Sequence, residues 1–182
     1  MERMNLGRII LETPRLLLRE FHEEDAAAFY VLGSDPEILR YTGDPGGGLQ
    51  SVAHAKEILQ SHALSDYRNY GFGRWACVDR ATEAVIGSAG LKRLSDLDEV
   101  DLGFRFLPAY WGQGYATEAG REILSYGFDR LQLPRVIGLV DAANLASIRV
   151  LEKLGLHANG SLEYHGEHTL LYVAERATFS VG

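Results

Sequence analysis

Asp101-Leu-Gly-Phe-Arg-Phe-Leu-Pro-Ala-Tyr-Trp-Gly-Gln-Gly-Tyr-Ala-Thr-Glu-Ala119 decides how the rest of the chain is read. It begins as an apolar strand, breaks at Pro108, turns through Gly112 and Gly114, and opens a helix at about Ala116. A glycine turn that leads into a helix N-terminus leaves several backbone N–H groups pointing the same way. Those donors, with the positive end of the helix dipole, form an anion site suited to phosphates. The stretch therefore predicts a phosphate-bearing cofactor.

Downstream, Ala116, Ala119, Gly120, Ile123, Leu124, Gly127, Phe128 and Leu131 recur at helical spacing, so the helix presents one apolar stripe. Gly120 and Gly127 are poor helix formers, and close packing of the helix on a sheet accounts for them. Pro134 ends the segment and Arg135–Val140 reads as the next strand. A strand, a helix and a strand imply a parallel pair with a right-handed crossover. Asn144 to Gly155 reads as a short helix, and Ser161–Tyr164 with Thr169–Val173 as a closing hairpin around a His-Gly-Glu turn.

Upstream, Phe72–Val78, Ala84–Leu91 and Glu99–Leu107 form a meander whose first turn is Asp79–Glu83. Arg15–Phe21 reads as a first strand, Ala26–Leu32 as a helix and about Ser51–Tyr67 as a second helix. Residues 41–50 include Gly46-Gly-Gly48 and read as a loop that is mobile or shaped by a ligand. The order is β-α-α-β-β-β-α-β-α-β-β: an α+β chain with a mixed sheet, one domain over 1–182 with its core at about 12–178. A crevice is expected where the parallel pair meets the meander.

Composition narrows the function. The 182 residues are 46% hydrophobic and 24% charged, which suits a folded domain. No run of about eighteen apolar residues exists to span a membrane, and the N-terminus lacks a signal-peptide core. Cys77 is the only cysteine and cannot form an internal disulfide, which fits a cytoplasmic protein. With 18 basic against 25 acidic side chains the formal charge is −7, which argues against nucleic-acid partners and tolerates cationic ones.

The turn lacks the third small residue of a dinucleotide fingerprint and the Gly-Lys-Ser/Thr ending of a P-loop. It resembles the acetyl-CoA signature of the GNAT N-acetyltransferase superfamily, Arg/Gln-x-x-Gly-x-Gly/Ala, with Trp111, Gly112, Gln113, Gly114, Tyr115 and Ala116 in the six positions. The following Thr-Glu-Ala, Asn144 and Ser147 before Leu-Glu-Lys-Leu-Gly155, and Thr-Pro-Arg-Leu-Leu-Leu-Arg19 extend the likeness from about Glu12 to Arg176. This pattern is similar to the branch that acetylates ribosomal-protein N-termini (RimJ/RimL-like). The resemblance implies a GNAT fold and an acetyl-CoA cosubstrate. It places the pyrophosphate on the amides of Gly112, Gln113, Gly114, Ala116 and Thr117, and the pantetheine along the backbone of Phe104 to Phe106. Trp111 stands where many members carry a cation. The acceptor it implies is a primary amine, either a protein N-terminus or a small molecule, and it also admits a homodimer.

Acetyl transfer to an amine requires a neutral amine, an oxyanion donor and a tolerable leaving thiolate, whose departure is helped but not decided by a proton donor. Many members supply the last with a Tyr seven residues after the motif asparagine, and here that position is Leu151. Ser147, one helical turn earlier, is the candidate proton donor; the alternative is a serine bonded to its own helix. Asn144 is read as a helix N-cap and as a partner for the pantetheine amide. Asp101 is the candidate base with Glu99 as its alternate on the same strand face, against the reading of a solvated edge carboxylate. Cys77 reads as core, and His165 and His168 lack a metal-ligand pattern. The resemblance implies that Tyr41, the glycine loop and the 161–168 hairpin flank the amine groove. If the acid is missing, the chain reads instead as a non-catalytic acyl-CoA sensor.

Overall fold

The computed structural model describes residues 7–42 and 45–180. Its strands are β1 (Ile9–Glu12), β2 (Leu16–Arg19), β3 (Arg74–Asp79), β4 (Val85–Leu94), β5 (Glu99–Phe106), β6 (Arg135–Asp141), β7 (His157–Tyr164) and β8 (Glu167–Glu175). They form one mixed sheet in the order β1-β2-β3-β4-β5-β6-β8-β7. Every neighbouring pair is antiparallel except β5 and β6. The α+β mixed-sheet expectation holds.

The helices are α1 (Ala26–Ser34), α2 (Pro36–Leu39), α3 (Val52–Ser61), α4 (Ala63–Tyr70), α5 (Tyr115–Ser125) and α6 (Leu145–Lys153). Strand alternation sends Trp75, Leu91 and Leu102 to one face, where they pack with Ala119, Ile123 and Leu124 of α5 and Leu151 of α6. On the other face Ala76 packs with Phe21, Ala26, Leu59 and Ala63 beneath α1, α3 and α4. Arg19, at the end of β2, makes a buried bidentate pair with Asp25 at 2.7 and 2.8 Å, which fixes where α1 starts.

Several boundaries differ from the expectation, each for a local reason. β1 precedes the expected first strand; it is a short edge strand with only Ile9, Ile10 and Leu11 to mark it. The expected helix from Ser51 breaks at His62 (φ −114°, ψ −83°), giving α3 and α4. The turn of α2 was not anticipated: Asp35 accepts from the Glu37 and Ile38 N–H groups, and Pro36 starts the turn. Beyond Ser125, α5 widens into a π-helical turn over Tyr126–Arg130. Gly127 faces Leu91 and Val136 of the sheet, as expected. Gly120 does not face the sheet: a Cβ there would lie 2.5 Å from Leu154 just after α6, so this glycine sets helix–helix contact.

In the glycine loop, residues 43 and 44 lie outside the described residues. Gly46, Gly47 and Gly48 all have positive φ, the Gln50 side chain donates to the Gly46 and Gly48 carbonyls, and half-buried Leu49 lies against Gly33. The loop is thus shaped by its own contacts.

Candidate active site

β5 and β6 run parallel but share a single residue pair, Asp101↔Ile137. Beyond it the strands part, and the gap opens toward the glycine turn. The Leu107 N–H bonds Ile86 of β4 at 2.9 Å. Successive backbone groups alternate along a strand, so Phe104 and Phe106 direct theirs away from β4 and into the gap. The Phe106 carbonyl accepts the Trp111 indole N–H at 2.7 Å. Trp111 is therefore folded back onto the end of β5, although 48% exposed.

After a 3₁₀ turn at Pro108–Tyr110, the chain passes through Gly112 (φ 70°) and Gly114 (φ 83°) into α5. Most side chains lose about 1–2 kcal/mol in this left-handed geometry, so glycine is favoured at both corners. Gln113 Nε2 donates back to the Ala109 carbonyl at 2.8 Å and closes the turn. Among the described residues, no backbone N–H from Gly112 to Thr117 has a hydrogen-bond partner, and α5 has no side-chain cap. Such an array at a helix N-terminus suits a diphosphate.

Asp101 sits where the strands fork and is 8% exposed, so it is not a solvated edge carboxylate. Its Oδ1 accepts the Leu139 N–H at 3.1 Å, a donor that a continuing ladder would have directed to β5. Its Oδ2 is paired with Arg74, whose guanidinium also donates to the Gly90 and Asp101 carbonyls. Arg74 lies flat over Gly103, where a Cβ would collide with it. Burial pushes the Asp101 carboxyl above its ordinary range; Arg74 and the Leu139 amide oppose that shift without cancelling it. Glu99, the alternate base, is engaged by Arg135.

On α6, Asn144 Oδ1 accepts the Ser147 N–H at 3.1 Å, so the N-cap reading holds. The half-buried Ser147 hydroxyl has no hydrogen-bond partner among the described residues, contrary to a serine bonded to its own helix. Leu151 is 2% exposed and packs on Gly138 of β6, in the core beneath the sheet. Cys77 is fully buried, and desolvation raises its thiol well above the usual range, which leaves it inert.

The GNAT acetyltransferase domain matches residues 15–157. The chain belongs to the GNAT acetyltransferase family. It is 33% identical over 157 residues to the uncharacterized N-acetyltransferase YoaA of Bacillus subtilis, covering 86% of this chain and 87% of that one. It is 46% identical over 160 residues to the FsC-acetyl coenzyme A-N(2)-transacetylase of Aspergillus fumigatus, covering 80% of this chain and 64% of that one. The solved ribosomal-protein-S5-alanine acetyltransferase of Vibrio fischeri superposes with a TM-score of 0.75 at 16% identity, over 94% of this chain and 98% of that one, which shows the shared fold. This GNAT protein is accordingly an acetyl-CoA-dependent N-acetyltransferase.

Several residues of the site carried no role in the sequence reading. Glu118, in the first turn of α5, accepts from the Thr13 hydroxyl at 2.6 Å, the Arg15 N–H at 2.9 Å and Arg15 Nε at 2.6 Å. No local signal could pair segments more than a hundred positions apart. Partial burial raises the Glu118 carboxyl, but the Thr13 and Arg15 donors outweigh it and hold the group below its ordinary value. A depressed carboxylate contributes stability that is present above its unfolded pKa, about 4.3, and lost as pH falls through the lower folded value. Thermal melts between neutral and strongly acidic pH check this: the margin of the parent over Glu118→Gln is expected to shrink once pH drops below the unfolded value.

Proposed function

We propose that this enzyme moves the acetyl group of acetyl-CoA directly to a primary amine within a ternary complex. The observation that carries the reading is the fork between β5 and β6, open beyond Asp101↔Ile137, leading to the turn of unpartnered N–H groups. The amides of Gly112, Gln113, Gly114, Ala116 and Thr117 would take the pyrophosphate. The backbone of Phe104 and the Phe106 N–H would pair with the pantetheine, while the Phe106 carbonyl stays with Trp111. When bound, acetyl-CoA supplies an activated acetyl thioester at the fork.

A β5 backbone N–H facing the gap stabilises the carbonyl oxygen as charge develops on it. Asp101, raised by burial, accepts the proton of the incoming amine directly or through water. Asn144 has its Oδ1 engaged by the Ser147 amide, so its NH₂ is the group that can reach the pantetheine. Ser147, with its hydroxyl uncommitted, donates a hydrogen bond to the leaving sulfur and passes it a proton taken up from water. A thiol of pKa about 8.5 leaves tolerably without help, so Ser147→Ala is expected to lower kcat only about tenfold, with acetyl-CoA binding unchanged. Unchanged kcat would remove Ser147 from the mechanism.

The acceptor we favour is a small-molecule amine, because a relative 35% identical over 149 residues is named as a spermidine N(1)-acetyltransferase. A protein N-terminus is the second class, from the ribosomal-protein acetyltransferase of the same fold. An α-amine of pKa near 7.7–8.0 is about 10–20% neutral at pH 7, against well under about 0.1% for a lysine near 10.4, so an α-amine depends less on the base than a lysine does. Release of CoA thiol against amino-acid amines, polyamines and Ala- or Ser-initiated peptides tests the reading. Turnover with the first class is the expected result. Tight CoA binding with no amine consumed would turn the reading to an acyl-CoA sensor.

A further inference from the structure

We propose that Arg15, from the segment between β1 and β2, is a positioning residue of the cofactor site: it fixes the Gly114 amide and neutralises Glu118 beside the pyrophosphate turn. The proposal rests on assigning the pyrophosphate to that turn. Arg15 Nη1 donates to the Gln113 carbonyl at 2.9 Å. That carbonyl and the Gly114 N–H belong to one planar trans peptide and point in opposite directions. Holding the carbonyl toward Arg15 therefore aims the Gly114 N–H away from it, on the open side of the turn. Glycines of positive φ stand on either side of Gln113, so nothing in the local backbone would otherwise resist rotation of this peptide.

The second effect is electrostatic. A carboxylate in the first turn of a helix favours the helix but opposes an incoming anion at the same N-terminus. Arg15 offsets the Glu118 charge through its Nε, and Thr13 and the Arg15 amide occupy the facing oxygen. The guanidinium itself is held in place, with its carbon 4.0 Å from the centre of the Tyr115 ring at the start of α5. It is not a buried strut. It borders an open cavity of about 460 Å³ that Gly114, Thr117 and Glu118 also line. Trp111 stands at the motif's Arg/Gln position, and a cation reaches the turn from the N-terminal segment.

Calorimetric titration of CoA and steady-state kinetics on the full chain test this. Removing one charge-assisted bond corresponds to about a 10- to 100-fold change, so Arg15→Met is expected to raise the CoA Kd about 30-fold. At saturating acetyl-CoA its kcat should stay within about threefold of the parent, because the chemistry lies at the fork. The double variant Arg15→Met/Glu118→Gln restores charge balance but not the peptide anchor, and is expected to stay weaker than the parent. Recovery to the parental Kd would overturn the orienting role. Arg15→Lys keeps a cation against Glu118 without reaching both partners, so a smaller loss of about fivefold is expected; it decides the matter if Arg15→Met does not fold. A Kd within twofold of the parent in both single variants, whatever their melting temperatures, overturns the proposal. Gly112→Asp reports on the turn alone: if it binds CoA like the parent, the pyrophosphate assignment fails, whichever way Arg15 behaves.

Discussion

Gly112→Asp is expected to weaken acetyl-CoA binding on the order of a hundredfold while leaving the melting temperature within a few degrees. Gly112 has φ 70°, and a Cβ built on it meets nothing within 4 Å. Aspartate is among the few residues that enter the left-handed region readily, so the fold accepts it at a cost of about 1 kcal/mol. The new carboxylate lies among donors that would otherwise face a diphosphate. At roughly 5 Å and an effective dielectric near 20, each like-charge pair costs about 3 kcal/mol, and it also competes for the same N–H groups. Titration of CoA with parent and variant measures the effect. High salt should recover part of the loss, since an exposed repulsion is screened. Equal affinities would mean that the phosphates bind elsewhere.

Asp101→Asn is expected to have two effects that separate cleanly. The amide keeps the size of the carboxylate, and its oxygen still accepts from Leu139, but Arg74 loses its charged partner across Gly103. Breaking a largely buried ion pair on one side costs about 3–5 kcal/mol when desolvation is complete. Arg74 keeps 26% side-chain exposure, so a cost nearer the bottom of that range is expected. Denaturant unfolding reads this effect. The second effect is kinetic: without a carboxylate to take the amine proton, kcat should fall by roughly 10²-fold or more. The acidic limb of the pH–rate profile should vanish with it. Burial raises the Asp101 carboxyl, so in the parent this limb should lie above the ordinary carboxylate range. A variant that is destabilised but keeps both kcat and the limb would leave Asp101 with the structural task of holding the fork.

The glycine turn was legible because its signals are local: a proline, two glycines and a helical stripe lie within one short stretch. The mixed sheet followed from the same stretch, since a strand and its successor joined by one helix leave few topologies. Other features depend on position in the assembled sheet. Asp101 reads equally as a solvated edge or a base until β5 is known to lie inside the sheet, with Arg74 arriving from β3 two strands away. Gly120 was assigned to the sheet because helical periodicity gives a face but not its neighbour, and that neighbour is Leu154. β1 was missed because an edge strand of four residues has too little pattern to stand out. Arg15 and Glu118 meet only through the fold. The free Ser147 hydroxyl likewise depends on which groups are nearby, beyond the helix position that sequence supplies.

The single-pair contact between β5 and β6 has a cost outside catalysis. Sheets guard their outer strands with charges, prolines or bulges, because unpaired main-chain groups invite a stray strand to add on. This protein carries such an edge in the middle of its sheet, along Leu102 to Phe106. Outer-rim protection is of no use there. The Trp111 indole on the Phe106 carbonyl and the Asp101 carboxylate on the Leu139 amide each occupy a main-chain group at that inner edge which an added strand would need.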